Sequence, residues 1–163
     1  GVRLVGSEMC IRDRPYLIEY NIRMGDPECQ VILPRLKTDL VKIIKNSVTN
    51  KLKGTKIQWK KNKSMTIVLC SNGYPGNYKK NKNIKNIDKL HLSKNDFIYH
   101  AGTKFKNGKL FSDGGRVLNI TSMGDSFFKI RLKIIKIIRK LNWKAGFYRK
   151  DIGWRVIDKY ANN

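Results

Sequence analysis

The chain has 163 residues, 40% of them apolar and 29% charged, with a net charge of +23 and a pI near 10.2. That length allows one domain or two small ones with a real core. No apolar run reaches the roughly 18 residues that a spanning helix needs, and no secretory signal is visible.

The excess of positive charge, taken alone, points to nucleic acid or another anionic surface. Lys, however, outnumbers Arg more than two to one, and Asn and Ile are also abundant. Those three residues share A/T-rich codons, so a skewed genome produces the same charge without a partner. Specific readers of nucleic acid favour clustered Arg and exposed aromatics, whereas the Lys here are spread along the chain. A small basic nucleic-acid-binding module is kept as the alternative function; neither a specific nucleic acid nor a membrane is expected as partner. Cys10, Cys29 and Cys70 show no metal-ligand or disulfide spacing, which fits a reducing compartment. The chain begins at Gly1 rather than Met, as a fragment would.

Residues 1–14 contain neither Lys nor Asn, and residues 5–14 resemble a translated sequencing-library adapter. The segment is expected to be non-native, with a genuine loop or strand as the alternative. Residues 15–22 then alternate as a strand does, with Ile18, Tyr20 and Ile22 on one face and Glu19, Asn21 and Arg23 on the other. Gly25 permits a bend, Asp26 suits a helix cap and Pro27 the first helical position. The polar row offers a carboxylate and an amide oxygen, the hard donors that Mg²⁺ takes beside substrate phosphates. Its guanidinium is able to hold a phosphoryl or carboxylate group by paired hydrogen bonds. A strand with one solvated face, running into an ordinary helix start, has the same pattern, and both readings stand at this point.

A helix over 27–36 is made irregular or ended by Pro34. A second, over 40–48, is capped by Thr38 or Asp39 and carries an apolar stripe of Leu40, Val41, Ile43, Ile44 and Val48. The Lys-rich stretch 50–63 reads as a linker. Residues 65–70 are a buried strand. The glycine-rich turn at 71–76 follows, without the dinucleotide or P-loop pattern. Residues 77–92 read as a loop with a short strand, and 96–100 as a strand ending at His100. Asn107-Gly108 marks a two-residue hairpin turn. Gly114 and Gly115 lead into a strand over 114–121, where they admit a ligand close to the backbone or mark a bulge. The clearest helix opens at Gly124-Asp125-Ser126, with a wide apolar face from Phe127 and Phe128 to Leu141. The tail 142–160 reads as a last short strand or turn. His91 and His100 lack metal spacing, and no Ser-His-Asp or Cys-His arrangement stands out.

Taken together, these residues resemble a known family. Glu19-Tyr20-Asn21 with Arg23-Met24-Gly25-Asp26-Pro27-Glu28-Cys29-Gln30 looks like the signature of the glycinamide ribonucleotide synthetases, the phosphoribosylamine–glycine ligases. The series continues in order through 31–36, Asp39-Leu40, Trp59, Ile67-Val68-Leu69 and Gly73-Tyr74-Pro75-Gly76. It runs on through His100-Ala101-Gly102-Thr103, Gly114-Gly115-Arg116-Val117-Leu118-Asn119, Gly124, Tyr148-Arg149 and Asp151-Ile152-Gly153. Met24 departs from the family's usual Phe or Leu, a swap between large apolar groups. The pattern breaks off upstream at Arg14.

The resemblance implies an α/β (α+β) chain. Its parts are the C-terminal end of an ATP-grasp domain, over 15–58, and a small β-rich C-terminal domain with one packing helix, over 59–163. The family's reaction phosphorylates the carboxylate of glycine with ATP. The amine of 5-phosphoribosylamine then attacks, giving glycinamide ribonucleotide, ADP and phosphate. Carried onto this chain, Glu19 and Asn21 are the ligands of Mg²⁺ or Mn²⁺. Arg23 and Asp26 are candidate catalytic residues that orient phosphate, glycine or the amine, Arg23 also lying on the nucleotide side. His100, Gly114, Gly115 and Arg116 are candidate substrate-side residues. A cytoplasmic, monomeric full-length enzyme acting on small molecules is expected. The family's phosphoribosylamine-binding and adenine-binding parts do not fit into the residues after Arg14, so the chain alone is expected to be inactive.

Overall fold

In the computed structural model, the backbone is described for residues 8–11, 14–17 and 22–161, and side chains for 22–157. Strands β1 (Glu8–Ile11) and β2 (Arg14–Leu17) pair antiparallel. The expected strand over 15–22 therefore includes 15–17. Ile22 lies outside any strand and is fully exposed, so it is not the buried member of an alternating face. Residues 18–21 lie outside the described residues.

The centre is a four-stranded antiparallel sheet in the order β4-β7-β3-β8. Strands β3 (Lys63–Ser71) and β7 (Arg116–Gly124) form its middle, in register from Lys63↔Gly124 to Leu69↔Leu118. Side chains opposite one another across an antiparallel pair share a face. Ile67 with Ile120 and Leu69 with Leu118 therefore make one apolar surface. Thr66 with Thr121 and Val68 with Asn119 make the other. β4 (Asp96–His100) lies along one edge and the short β8 (Gly146–Phe147) along the other.

Helix α3 (Phe127–Leu141) covers the apolar surface. Ser126 caps it by accepting from Lys129 N, and Asn142 ends it in the left-handed region at φ 48°. Ile130, Ile134, Ile137, Ile138 and Leu141 are buried against Met65, Ile67, Leu69, Val117, Leu118 and Ile120. Truncating one of these Ile to Ala would cost about 2–5 kcal/mol. The buried face is narrower than its sequence pattern implies, since Phe128 and Leu132 are exposed. The hairpin β5 (Thr103–Lys106) and β6 (Lys109–Ser112) turns at Asn107 and Gly108 as expected, both at positive φ.

The tail differs from its expectation. A helix, α4 (Trp154–Ala161), follows β8. A segment this short takes its helicity from packing rather than propensity: Ile152, Val156 and Ile157 sit against the core. Arg131 of α3 also holds the preceding turn through Ile152 O at 3.1 Å and through Lys150 O.

On the polar surface, α1 (Cys29–Ile32) runs into a 3₁₀ turn at Leu33–Arg35 that accommodates Pro34 near its start. α2 (Leu40–Val48) is capped by Asp39, whose Oδ1 accepts from Lys42 N at 3.0 Å. Its predicted stripe is present but uncovered, with Val41 and Val48 more than 70% exposed. The stretch expected to be a linker straps back onto this segment. Lys37 N donates to Gln58 O at 2.9 Å, Lys60 N to Arg35 O at 2.7 Å and Gln58 N to Thr38 Oγ1 at 2.7 Å.

One charged residue is sunk into the sheet. The Asp96 side chain is 2% exposed and its Oδ1 is 2.9 Å from Lys133 Nζ on α3. It also accepts from Ser122 Oγ at 2.7 Å and from Ser93 N and Oγ at 2.9 and 2.7 Å. Burial opposes its ionisation, but these donors outweigh it and hold the carboxyl below the usual carboxylate range. The stability it contributes is complete above the unfolded-state pKa of about 3.9 and is lost as pH falls through the lower folded-state value. Asp96→Asn is expected to cost about 2–3 kcal/mol at pH 7 in urea denaturation. The variant should also show a flatter dependence on pH in the acid range, and equal slopes would place the acid sensitivity elsewhere.

Candidate functional site

The turn after Arg23 lies against the polar surface of the sheet, and Asp26 is where it is held. Asp26 does not cap α1; the residue before that helix is Glu28, which makes no side-chain cap bond. Instead Asp26 Oδ1 accepts from Gln30 Nε2 at 2.8 Å and from Asn119 Nδ2 at 3.3 Å. Its Oδ2 is 3.2 Å from Arg116 Nη2, and its main-chain oxygen accepts from Arg116 Nη1 at 3.0 Å. Two of the predicted site residues, Asp26 and Arg116, are thus brought together across ninety positions of sequence. Both are about 40% exposed. Asn119, between them and the core, is fully buried.

Arg23 is exposed, with Nη1 donating to the neighbouring Met24 O at 3.1 Å. Glu19 and Asn21 lie outside the described residues. Among the described residues, no three His, Cys, Asp or Glu gather as a metal site. Asp26 is not a free third ligand, because Arg116, Asn119 and Gln30 occupy its carboxylate. What fits a hard cation is the chemistry of the upstream row, a carboxylate and an amide oxygen two residues apart.

His100 ends β4, and its Nδ1 is 2.8 Å from Thr103 Oγ1. It lines an open cleft of about 570 Å³ beside the β5–β6 hairpin, with Asn83, Lys85, Phe105 and Lys109. Asp26 and Arg116 do not line this cleft. The two glycines ahead of β7 serve packing. A Cβ on Gly114 would come 3.1 Å from Gly102 Cα and 3.2 Å from Arg116 O, and one on Gly115 would enter the Tyr74 ring. The register shift between Leu69 and Cys70 skips Val117 of β7, so the bulge falls two residues past the glycines rather than on them. Cys70 pairs with Arg116 there; burial pushes its thiol up while Arg116 pulls it down.

Asn119 and Gln30 join the site only through their bonds to Asp26. Asn119 falls on the alternate face of an apolar strand, a position that reads as solvated. Only the return of the turn over that face buries it.

An antiparallel sheet backed by one long helix, with an N-terminal turn clasped to its polar side, makes a mixed α/β domain. Residues 64–155 match the family model for phosphoribosylglycinamide synthetase, C domain, and the chain belongs to that family. It is 39% identical over 163 residues to a phosphoribosylamine–glycine ligase of Brucella melitensis, covering 100% of this chain and 38% of that protein. With the same enzyme of Agrobacterium fabrum it is 44% identical over 143 residues, covering 88% of this chain and 33% of that protein. A crystal structure of phosphoribosylamine–glycine ligase from Thermotoga maritima superposes with a TM-score of 0.65 at 31% identity, covering 88% of this chain and 35% of that one. The chain therefore spans little more than a third of the relatives it matches. Asp26 lies upstream of the matched C-domain residues, and Arg116 and Asn119 lie within them.

Gly102 and Gly114 cross backbone to backbone, and a Cβ on Gly102 would come 2.8 Å from Gly114 Cα. Gly102→Ala is expected to destabilise the chain by about 1–3 kcal/mol, as overpacking does. Urea denaturation reads the change; an unaltered midpoint would show that the crossing yields freely.

Proposed function

We propose that this chain forms the metal-bearing end and the C-terminal domain of a phosphoribosylamine–glycine ligase of purine biosynthesis. The observation that carries the reading is the match along the whole chain to ligases of that name, with the Glu19, Asn21 and Arg23 row immediately ahead of the clasped turn. On this reading residues 15–58 complete an ATP-grasp domain. The reaction joins glycine to 5-phosphoribosylamine: ATP transfers its terminal phosphoryl group to the glycine carboxylate, and the ribosylamine nitrogen displaces that phosphate to form the amide.

The roles within this chain follow from donor chemistry. Glu19 and Asn21 supply oxygen ligands for Mg²⁺ or Mn²⁺, which when bound offsets negative charge on the phosphates. Arg23 has its guanidinium in solvent and is suited to hold a carboxylate or phosphoryl oxygen by paired, charge-assisted hydrogen bonds. Arg116 supports the turn beside it. The substrates are small molecules, and a cytoplasmic setting agrees with the lack of disulfide spacing. The Lys excess implies at most weak nucleic-acid binding that fades with salt.

The test is release of ADP dependent on both glycine and 5-phosphoribosylamine, measured on the full-length protein that carries this segment. Arg23→Ala is expected to lower kcat at least about tenfold, in keeping with loss of one preorganised donor. Unchanged kcat and KM would remove Arg23 from the site. The 163-residue chain alone is expected to release no ADP, and turnover by it would overturn the assignment of the phosphoribosylamine-binding and adenine-binding parts to other residues of the protein.

A further inference from the structure

We propose that one face of the β5–β6 hairpin is a binding site for a nucleotide, with Lys104, Lys106 and Lys109 holding its phosphates and Phe111 taking its base. The register sets this face. Lys104 stands opposite Phe111, and Lys106 opposite Lys109. Residues opposite one another in an antiparallel pair lie on the same side, as do residues two apart on one strand. Phe105 and Leu110 therefore fall on the other side. The four residues of the basic face, with Asn81 and Asn107, line an open cleft of about 510 Å³. That volume is in the range of small-molecule sites.

The arrangement is unfavourable for the chain alone. Like charges directly opposite destabilise a strand pair, and Lys106 is held opposite Lys109 by the turn at Asn107 and Gly108. Both lysines are exposed, and the ion pairs among the described residues involve neither of them. Among the described residues, no Asp or Glu lines the cleft. Asp113 is 3.5 Å from Lys104 Nζ, but it is shared with Lys80 at 3.9 Å. The Cβ atoms of an opposed pair are about 5 Å apart, so the two flexible ammonium arms can converge on a single phosphoryl group. Such an anion turns the repulsion between them into attraction. Lysine binds phosphate as a point charge, and a diphosphate has oxygens enough for all three lysines.

The cleft also carries groups that a bare phosphate does not use. Phe111 is half-buried in its wall. Asn81 is fixed beside that strand: its N donates to Ser112 O at 2.7 Å, and Ser112 N donates to Lys82 O at 2.9 Å. An aromatic ring suits a planar base, which stacks on it whatever its identity. The Asn81 amide, both donor and acceptor, suits the edge of that base. None of these residues is among the candidate metal, catalytic or substrate-side residues, so the site holds or fails independently of the ligase reading.

The experiment titrates the isotopically labelled 163-residue chain with adenosine diphosphate, free of metal, at about 0.1 M salt, where longer-range attraction to the net charge is screened. The amide resonances of Asn81 and of residues 104–111 should shift, while those of Ile67 and Ile120 stay in place. Lys106→Gln with Lys109→Gln should raise the half-saturating concentration at least about tenfold, as loss of two charge-assisted contacts does. Lys136→Gln with Lys140→Gln removes the same charge from exposed positions on α3 and should change it less than about twofold, since those charges lie outside the cleft. Pyrophosphate should shift the same residues but bind at least about fivefold more weakly, for want of a base to stack. Shifts absent from 104–111, or confined to residues 22–28, overturn the hairpin site. Equal weakening by the two double variants overturns it in favour of attraction to net charge. Pyrophosphate as tight as adenosine diphosphate overturns the nucleotide. A short single-stranded oligothymidylate that binds this face about tenfold tighter than the nucleotide would assign it to nucleic acid instead.

Discussion

The structure depends on one pairing, that of β3 with β7. Two nine-residue strands run antiparallel through the middle of the sheet, and strict alternation divides their side chains between two unlike layers. One layer is hydrocarbon: Ile67, Leu69, Leu118 and Ile120 meet the isoleucines of α3. The other carries hydroxyl and amide groups, Thr66, Thr121 and Asn119, beside Val68. A slip of one residue would exchange the layers and set isoleucine against the N-terminal turn. The register therefore decides both where the core forms and where the clasp is able to form.

The two layers adhere by different physics. Against α3 the contact is close-packed and non-directional. Against the N-terminal segment it is a set of aimed polar contacts, and several buried atoms there have no protein partner. Gln30 Oε1 and Arg35 Nε lie on the segment, and Ser64 Oγ and Asn119 Oδ1 lie on the strands beneath it. Each such atom costs about 1–3 kcal/mol when dry, whereas the α3 layer carries almost none of this burden. The N-terminal segment is thus held to the sheet by aimed polar contacts, among them the fork of Arg116 on Asp26.

Much of the fold was legible because local signals and tertiary demand agreed. Ser126 and Asn142 bound α3, Asp39 caps α2, and Asn107-Gly108 turns the hairpin, each for a reason contained within a few residues. What escaped was set at long range. α4 is helical because Val156 and Ile157 meet a core built mostly from earlier residues. Asp26 has the chemistry of a helix cap, but an arginine ninety residues later turns it to the sheet. The stretch 50–63 has the composition of a linker, yet its backbone pairs with 35–38 because those unpaired groups lie beside it. At the site, residue types were readable and partners were not: Asn119 becomes a site residue only when the turn closes over it.

The uncovered stripe of α2 governs how this chain behaves in company. Leu40, Val41, Ile44 and Val48 lie exposed along one helix, with Leu52, Ile57 and Trp59 exposed shortly after. Such a surface attracts its like through the hydrophobic effect. The charge of +23 on every copy opposes the encounter. The repulsion reaches about 30 Å at 0.01 M salt but only about 10 Å at 0.1 M. The attraction acts at contact and has no such dependence. Added salt therefore shortens the reach of the repulsion and leaves the contact attraction in place.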